Sequence, residues 1–164
     1  MNKKILLISI IVIALDQISK AIIDITMKVG QSIQVIKDFF YITYYQNKGA
    51  AWGILNGNRY LLIGLSIIIL LIIYRYMYSF KLNKRNIIAF GLLIGGIIGN
   101  LLDRILFEYV KDFFDFYIFG YNYPIFNISD CAIVIGIFLL IIAIFKKEEV
   151  YGKDSSRNQS RKNW

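Results

Sequence analysis

Apolar residues run almost unbroken from Ile5 to Leu15, and after Asp16-Gln17-Ile18-Ser19-Lys20 the run resumes at Ala21-Ile22-Ile23. At about 1.5 Å of rise per residue, a helix over 5–23 is long enough to cross a bilayer. The basic start Met1-Asn2-Lys3-Lys4 resembles that of a signal peptide, but no small-residue cleavage site follows. The pattern therefore predicts a first transmembrane helix with polar residues in its far half. Asp16 and Lys20 fall on one face of it and are spaced to pair.

Three more apolar runs follow, over 60–78, 87–106 and 128–145. Tyr74, Arg75, Tyr76 and Tyr78 end the second as a membrane–water interface would. Asn86 is the expected cap of the third, whose Gly91, Gly95, Gly96 and Gly99 favour close helix packing. Packing explains the glycines but not Asn100, Asp103 and Arg104. Between the first two spans, 24–58 has mixed polarity, and Ser32 to Tyr45 is rich in β-branched and aromatic residues. Short strands in a small surface domain are predicted there, followed by a turn and small residues from Asn47 to Gly53. Glu108 to Asn127 reads as an aromatic, amphipathic connection. The fold class expected is a mainly α membrane protein, with four transmembrane helices and a small extracytoplasmic β-domain. The membrane domain occupies 1–146, and 147–164 is a polar, disordered cytoplasmic tail.

Composition agrees with this. The 164 residues are 57% hydrophobic with a mean hydropathy of +0.56, too apolar for a soluble domain of this size. The net charge of +8 is concentrated in Arg75 to Arg85 and Lys146 to Lys162. Both clusters directly follow apolar runs, so they read as membrane flanks rather than a nucleic-acid surface. They place both termini and the loop Lys81 to Arg85 in the cytoplasm, with 24–58 and 108–127 outside.

Depth then becomes informative. Measured along each helix, Asp16 and Lys20 lie about 16 and 22 Å from Ile5, and Asn100 and Asp103 about 20 and 24 Å from Ile87. Asp130 opens the fourth helix from the outside, and Asp112 and Asp115 hang just above. Polar groups of three spans converge in the outer half of a core about 30 Å thick. Ionisable groups there are costly and are rarely kept without a use.

The chain has no histidine and one cysteine. Ser-His, Cys-His and His-ligated zinc sites are excluded, and no metal or cofactor is expected. Cys131 reads as a small packed hydrophobe. What remains is carboxylate chemistry. When two carboxyl groups share a site, one keeps a proton while the other is ionised, and together they can activate water and protonate a leaving group.

Five motifs occur in order: Asp16-Gln17-Ile18-Ser19-Lys20; Asn47-Lys48-Gly49-Ala50-Ala51-Trp52-Gly53; Gly95-Gly96-Ile97-Ile98-Gly99-Asn100-Leu101-Leu102-Asp103-Arg104; Val110-Lys111-Asp112-Phe113; and Phe126-Asn127-Ile128-Ser129-Asp130. Together they resemble bacterial lipoprotein signal peptidase, signal peptidase II, from about Lys3 to Phe145. The resemblance implies a membrane aspartic endopeptidase that cuts prolipoproteins N-terminal to a diacylglyceryl-modified cysteine. It puts the catalytic pair on Asp112 and Asp130. Its supporting or substrate-binding residues fall on Asp16, Lys20, Asn47, Gly49, Asn100, Asp103, Arg104 and Asn127. It also implies lipid-modified prolipoprotein substrates, contact with membrane lipids, inhibition by globomycin-type peptides, no nucleic acid, and a monomer in the bacterial cytoplasmic membrane.

This chain departs from the family pattern at two places. Lys111 stands where an apolar residue is usual, and is expected to point outward to lipid headgroups. Ser129 stands where alanine is usual. Plainer roles compete at several positions. Asp16–Lys20 and Asp103–Arg104 are each spaced as structural ion pairs, Asp115 reads as a solvated loop charge, and Asp130 as a helix cap. Two whole-protein alternatives also exist. An ion-coupled transporter or channel would place ionisable residues near the midplane, whereas the inner halves of the spans are almost purely apolar. A non-catalytic assembly factor gives no reason for converging carboxylates.

Overall fold

The computed structural model describes residues 2–50 and 54–148. Ala51, Trp52 and Gly53 of the second motif, and residues 149–164 of the tail expected to be disordered, lie outside the described residues, whereas Lys147 and Glu148 are ordered and Glu148 pairs with Arg85. Among the described residues, four helices are long and apolar enough to cross a membrane. They are α1 (Lys3–Thr26), α2 (Arg59–Tyr76, continued by a 3-10 turn at Met77–Ser79), α3 (Lys84–Phe107) and α4 (Ile128–Phe145).

The bundle is organised around α3, which buries twelve residues where α2 buries only Leu62. The reason is its glycine stripe. A Cβ on Gly91 or Gly95 would meet Ile8 or Val12 of α1 at 2.6 or 2.7 Å, and one on Gly96 would sit 2.5 Å from the Ser129 carbonyl oxygen of α4. Only bare backbone lets α1 and α4 approach α3 so closely. The remaining apolar faces point outward; Leu7, Leu15, Leu71, Val134 and Phe138 are all more than half exposed, as hydrocarbon-facing side chains are.

The helix starts follow capping chemistry. Asn83, not Asn86, caps α3, accepting from the Asn86 N–H at 2.9 Å. Asn86 is instead fully buried, donating to the Lys81 carbonyl and to Glu148. Its position one turn in makes it a bridge between helix ends.

Strands β1 (Ser32–Ile36), β2 (Phe40–Asn47), β3 (Val110–Ile118) and β4 (Tyr121–Asn122) form one antiparallel sheet in the order β1-β2-β3-β4. The first two lie in the predicted β-rich segment. The other two come from the stretch read as an amphipathic connection. β3 hides its period because both faces are covered: Lys111, Phe113 and Asp115 face one way, and Asp112, Phe114 and Phe116 the other. Its odd face packs on the end of α1, where Phe113 clusters with Ile23, Met27 and Tyr44. An extra residue in β2, between Ile42 and Tyr45, shifts the register so that Tyr45 faces Asp112 and Asn47 faces Val110.

Candidate active site

At the sheet end of the bundle, β3 delivers Asp112 and the start of α4 delivers Asp130. Asn127 is the N-cap of α4 and Asp130 the third residue of its first turn, and the two form a reciprocal capping box. The Asp130 N–H donates to Asn127 Oδ1 at 3.0 Å, and the Asn127 N–H donates to Asp130 Oδ2 at 3.1 Å. The Asn127 amide nitrogen Nδ2 then reaches Asp112 Oδ1 at 2.6 Å. One asparagine thus holds both carboxylates.

Two more asparagines complete the setting. Asn47 Nδ2 donates to Asp112 Oδ2 at 2.9 Å, and Asn100 Nδ2 to Asp130 Oδ1 at 2.7 Å. Each amide oxygen is pinned by a group that can only donate: Asn47 by the Gly49 N–H at 2.9 Å, Asn127 by the Asp130 N–H, Asn100 by Lys20 Nζ at 3.0 Å. Gly49 therefore acts through its backbone.

Asp112 is 1% exposed. Burial, and next the charge of Asp130, push its carboxyl up to about 7, against the hold of the Asn47 and Asn127 amides.

Lys20 is the hub behind the pair. It bridges Asp16 at 2.8 Å and Asp103 at 3.1 Å, all three nearly without solvent contact. Asp16 also accepts from the Ser129 N–H at 2.9 Å, and Asp103 from the Lys111 N–H at 3.0 Å. One ammonium serves two carboxylates, and their oxygens are also satisfied by Gln17 and by these two backbone N–H groups, as buried charge requires. Asp103 does not pair with its neighbour Arg104. The guanidinium turns instead to the carbonyls of Asn100 and Gly49, at 3.3 and 3.1 Å.

Asp112 and Asp130 themselves line a cleft of about 1090 Å³ between the sheet and α4. Asp112, Asp130, Asn47, Asn100 and Arg104 are its polar side, and Phe39, Phe116, Ile118, Pro124, Phe126, Ile133 and Val134 its apolar walls. Among the described residues, no group of three or more His, Cys, Asp or Glu is placed to hold a metal ion.

Residues 8–146 match a family model described as signal peptidase (SPase) II. The chain belongs to the signal peptidase II family. It is 44% identical over 144 residues to the lipoprotein signal peptidase of Halothermothrix orenii, covering 88% of this chain and 97% of that protein. It is 45% identical over 142 residues to that of Staphylococcus aureus, covering 86% and 87%. Two solved structures, both described as bacterial membrane enzymes determined by the in meso method, resemble it across most of their length. One superposes with a TM-score of 0.80 at 42% identity, covering 92% of each chain. The other gives 0.77 at 43% identity, covering 87% of this chain and 92% of its own. The transporter and assembly-factor readings have no support beside this peptidase membership.

Within this family member the structure corrects two further expectations. Lys111 does not reach for headgroups. It is 5% exposed, paired with Asp24 at 2.9 Å and stacked over the Phe107 ring. Asp115 is no solvated loop charge. It is 4% exposed and accepts from Thr43 Oγ1 at 2.7 Å, on the face of β3 opposite Asp112. Both errors follow from reading β3 as a connection. Gln17 went unassigned although its amide donates to Asp16, the Gly99 carbonyl and Asp103. Its place inside the first motif was the available signal.

Proposed function

We propose that this chain removes signal peptides from lipoprotein precursors by aspartic chemistry, with Asp112 and Asp130 as the catalytic pair. The names of the curated relatives support the substrate class. The observation that carries the mechanism is the buried Asn127, which bonds at once to both of the carboxylates that line the cleft.

In this reading Asp112 holds the proton at rest, in keeping with its raised pKa, although the two carboxyls titrate as a pair. Asp130 stands in the first turn of α4, where the helix macrodipole favours negative charge. It takes a proton from water as the water oxygen attacks the scissile carbonyl carbon, while Asp112 gives its proton to the carbonyl oxygen. As the tetrahedral diol collapses, the carbon–nitrogen bond breaks. The proton on Asp130 goes to the leaving amine, and a hydroxyl proton of the diol returns to Asp112. Asn47, Asn100 and Asn127 orient the pair, Lys20 bridges Asp16 and Asp103 behind it, and Arg104 ties Gly49 to α3.

The cut falls N-terminal to a lipid-bearing cysteine. The α4 wall of the cleft supports the lipid part of this reading, since Ile133 lines the cleft beside Val134, which is 66% exposed on the hydrocarbon-facing side. An acyl chain entering there gains about 0.8 kcal/mol per buried methylene. The basic clusters support a topology with both termini in the cytoplasm and the sheet and cleft at the outer leaflet.

The test is to incubate the purified protein with a diacylglyceryl-modified precursor and with its unmodified form. Cleavage of the modified precursor is expected, undiminished by EDTA, with little cleavage of the other. Equal rates on both refute lipid recognition. EDTA inhibition reversed by zinc or manganese would make the aspartates metal ligands.

A further inference from the structure

Lys111 immediately precedes Asp112 yet points to the opposite face of β3, and every polar group it has is engaged. Its N–H donates to Asp103 of α3, and its carbonyl accepts from Asn127, the cap of α4, at 3.5 Å. Its ammonium pairs with Asp24 Oδ2 at 2.9 Å and lies 3.9 Å from the centre of the Phe107 ring. Asp24 is in the last turn of α1, and its other oxygen accepts from Tyr44 Oη at 2.5 Å. One carboxylate thus holds β2 through Tyr44 and β3 through Lys111.

This arrangement constrains direction as well as stability. The Lys111 side chain is 6% exposed, so its ammonium has almost no water to turn to if the pair opens. Alternation along the strand converts that anchor into an orientation: with Lys111 and Phe113 fixed against α1, the carboxyl between them faces the cleft. A productive constellation requires placement within about 0.5 Å. None of Lys111, Asp24 or Tyr44 lines the cleft.

We propose that Lys111 and Asp24 form a positioning pair, braced by Tyr44, that sets the aim of the Asp112 carboxyl. The proposal rests on the reading of Asp112 as catalytic.

The experiment measures kcat and KM of the full-length protein in detergent on a diacylglyceryl-modified precursor. Lys111→Met keeps the apolar stem over Phe107 and removes the charge; Asp24 is 41% exposed and can turn to water. A misplacement of about 1 Å can cost on the order of 10²-fold in rate, so a partial loss of aim should lower kcat about 10-fold with KM within about twofold. Asp24→Asn should match it, and the double variant should be no worse than the poorer single one. Lys111→Arg, which can reach the same carboxylate, should recover most of kcat. A merely structural pair would leave kcat of the folded fraction untouched. Full kcat in Lys111→Met, alongside an inactive Asp112→Asn, overturns the positioning pair and leaves the dyad standing. An active Asp112→Asn overturns the dyad and this proposal together. Losses that multiply in the double variant also overturn the pairing. If Lys111→Met gives no monodisperse protein, Tyr44→Phe removes one bond to Asp24 and decides: lower kcat at unchanged KM supports the brace, and unchanged kcat overturns it.

Discussion

Lys20 Nζ lies 3.0 Å from Asn100 Oδ1, and that contact decides which end of the asparagine faces Asp130. An ammonium only donates, so the amide oxygen must turn toward it and the amide NH₂ toward the carboxylate. Lys20→Met should therefore disorder the pair as well as strand Asp16 and Asp103. Breaking one partner of a buried ion cluster costs about 3–5 kcal/mol. A large drop in thermal midpoint in detergent is expected, partly recovered by adding Asp16→Asn. A midpoint equal to wild type would show the cluster to be dispensable.

Asparagine keeps the shape of aspartate without its titration. Asp112→Asn and Asp130→Asn should each lower cleavage by at least about 10²–10⁴-fold, the usual worth of general acid–base catalysis, with normal insertion. Asp115→Asn is the control. It is buried, but it faces Thr43 and away from the cleft, so it should keep most of the rate. An inactive Asp115→Asn beside an active Asp112→Asn would refute the assignment.

The pH dependence follows from Asp112, whose carboxyl lies at about 7 in the folded chain against an ordinary 3.8. Between those values the folded protein holds more protons than the unfolded one. The group's stabilising contribution is therefore complete below 3.8 and is lost as pH rises through about 7. Asp112→Asn should flatten that part of the profile of thermal midpoint against pH. For wild type, kcat/KM should fall on an alkaline limb near pH 7. Constant activity from pH 6 to 9 would place the proton elsewhere.

Gly99 leaves no room for a methyl group: a Cβ there would lie 2.1 Å from Ser129 Oγ and 2.7 Å from Asp16 Oδ2. Gly99→Ala should cost about 1–3 kcal/mol by overpacking. Ser129→Ala removes the nearer obstacle, and the double variant should recover part of the loss. Thermal unfolding of the three variants measures the coupling; strict additivity would mean the two sites do not touch.

Topology is open to direct labelling. In a Cys131→Ser background, Lys84→Cys should resist an impermeant thiol reagent applied to intact cells and react after permeabilisation. Labelling from outside would invert the assigned orientation. Cys131→Ser itself should keep substantial activity, because the thiol is given no chemical part.

Much of this was legible along the chain because hydrocarbon imposes a strong signal: runs of about twenty apolar residues can hardly be anything but spans. Asp16, Lys20, Asn100 and Asp103 were legible as a group from helical rise alone, and they do meet. The chemical parts given to Asp112 and Asp130 came from motif order rather than from any periodicity. β3 was illegible because alternation marks a strand only when one face is wet. Its partner, β2, lies more than sixty residues earlier in the chain. Lys111 was misjudged for the same reason: nothing local announces that Asp24, at the far end of α1, waits beside it.

The sheet has one more consequence, for the life history of the molecule. Asn47 on β2 meets Asp112 on β3 only after α3 has been threaded between them, and Asn127 and Asp130 arrive later still. A nascent chain that has emerged as far as residue 110 has its first three spans but neither member of the proposed pair. On the proposed assignment of Asp112 and Asp130, the growing chain is an inert membrane protein until the fourth span begins to emerge. On that assignment proteolytic competence waits for the start of α4, after the first three spans are already in place.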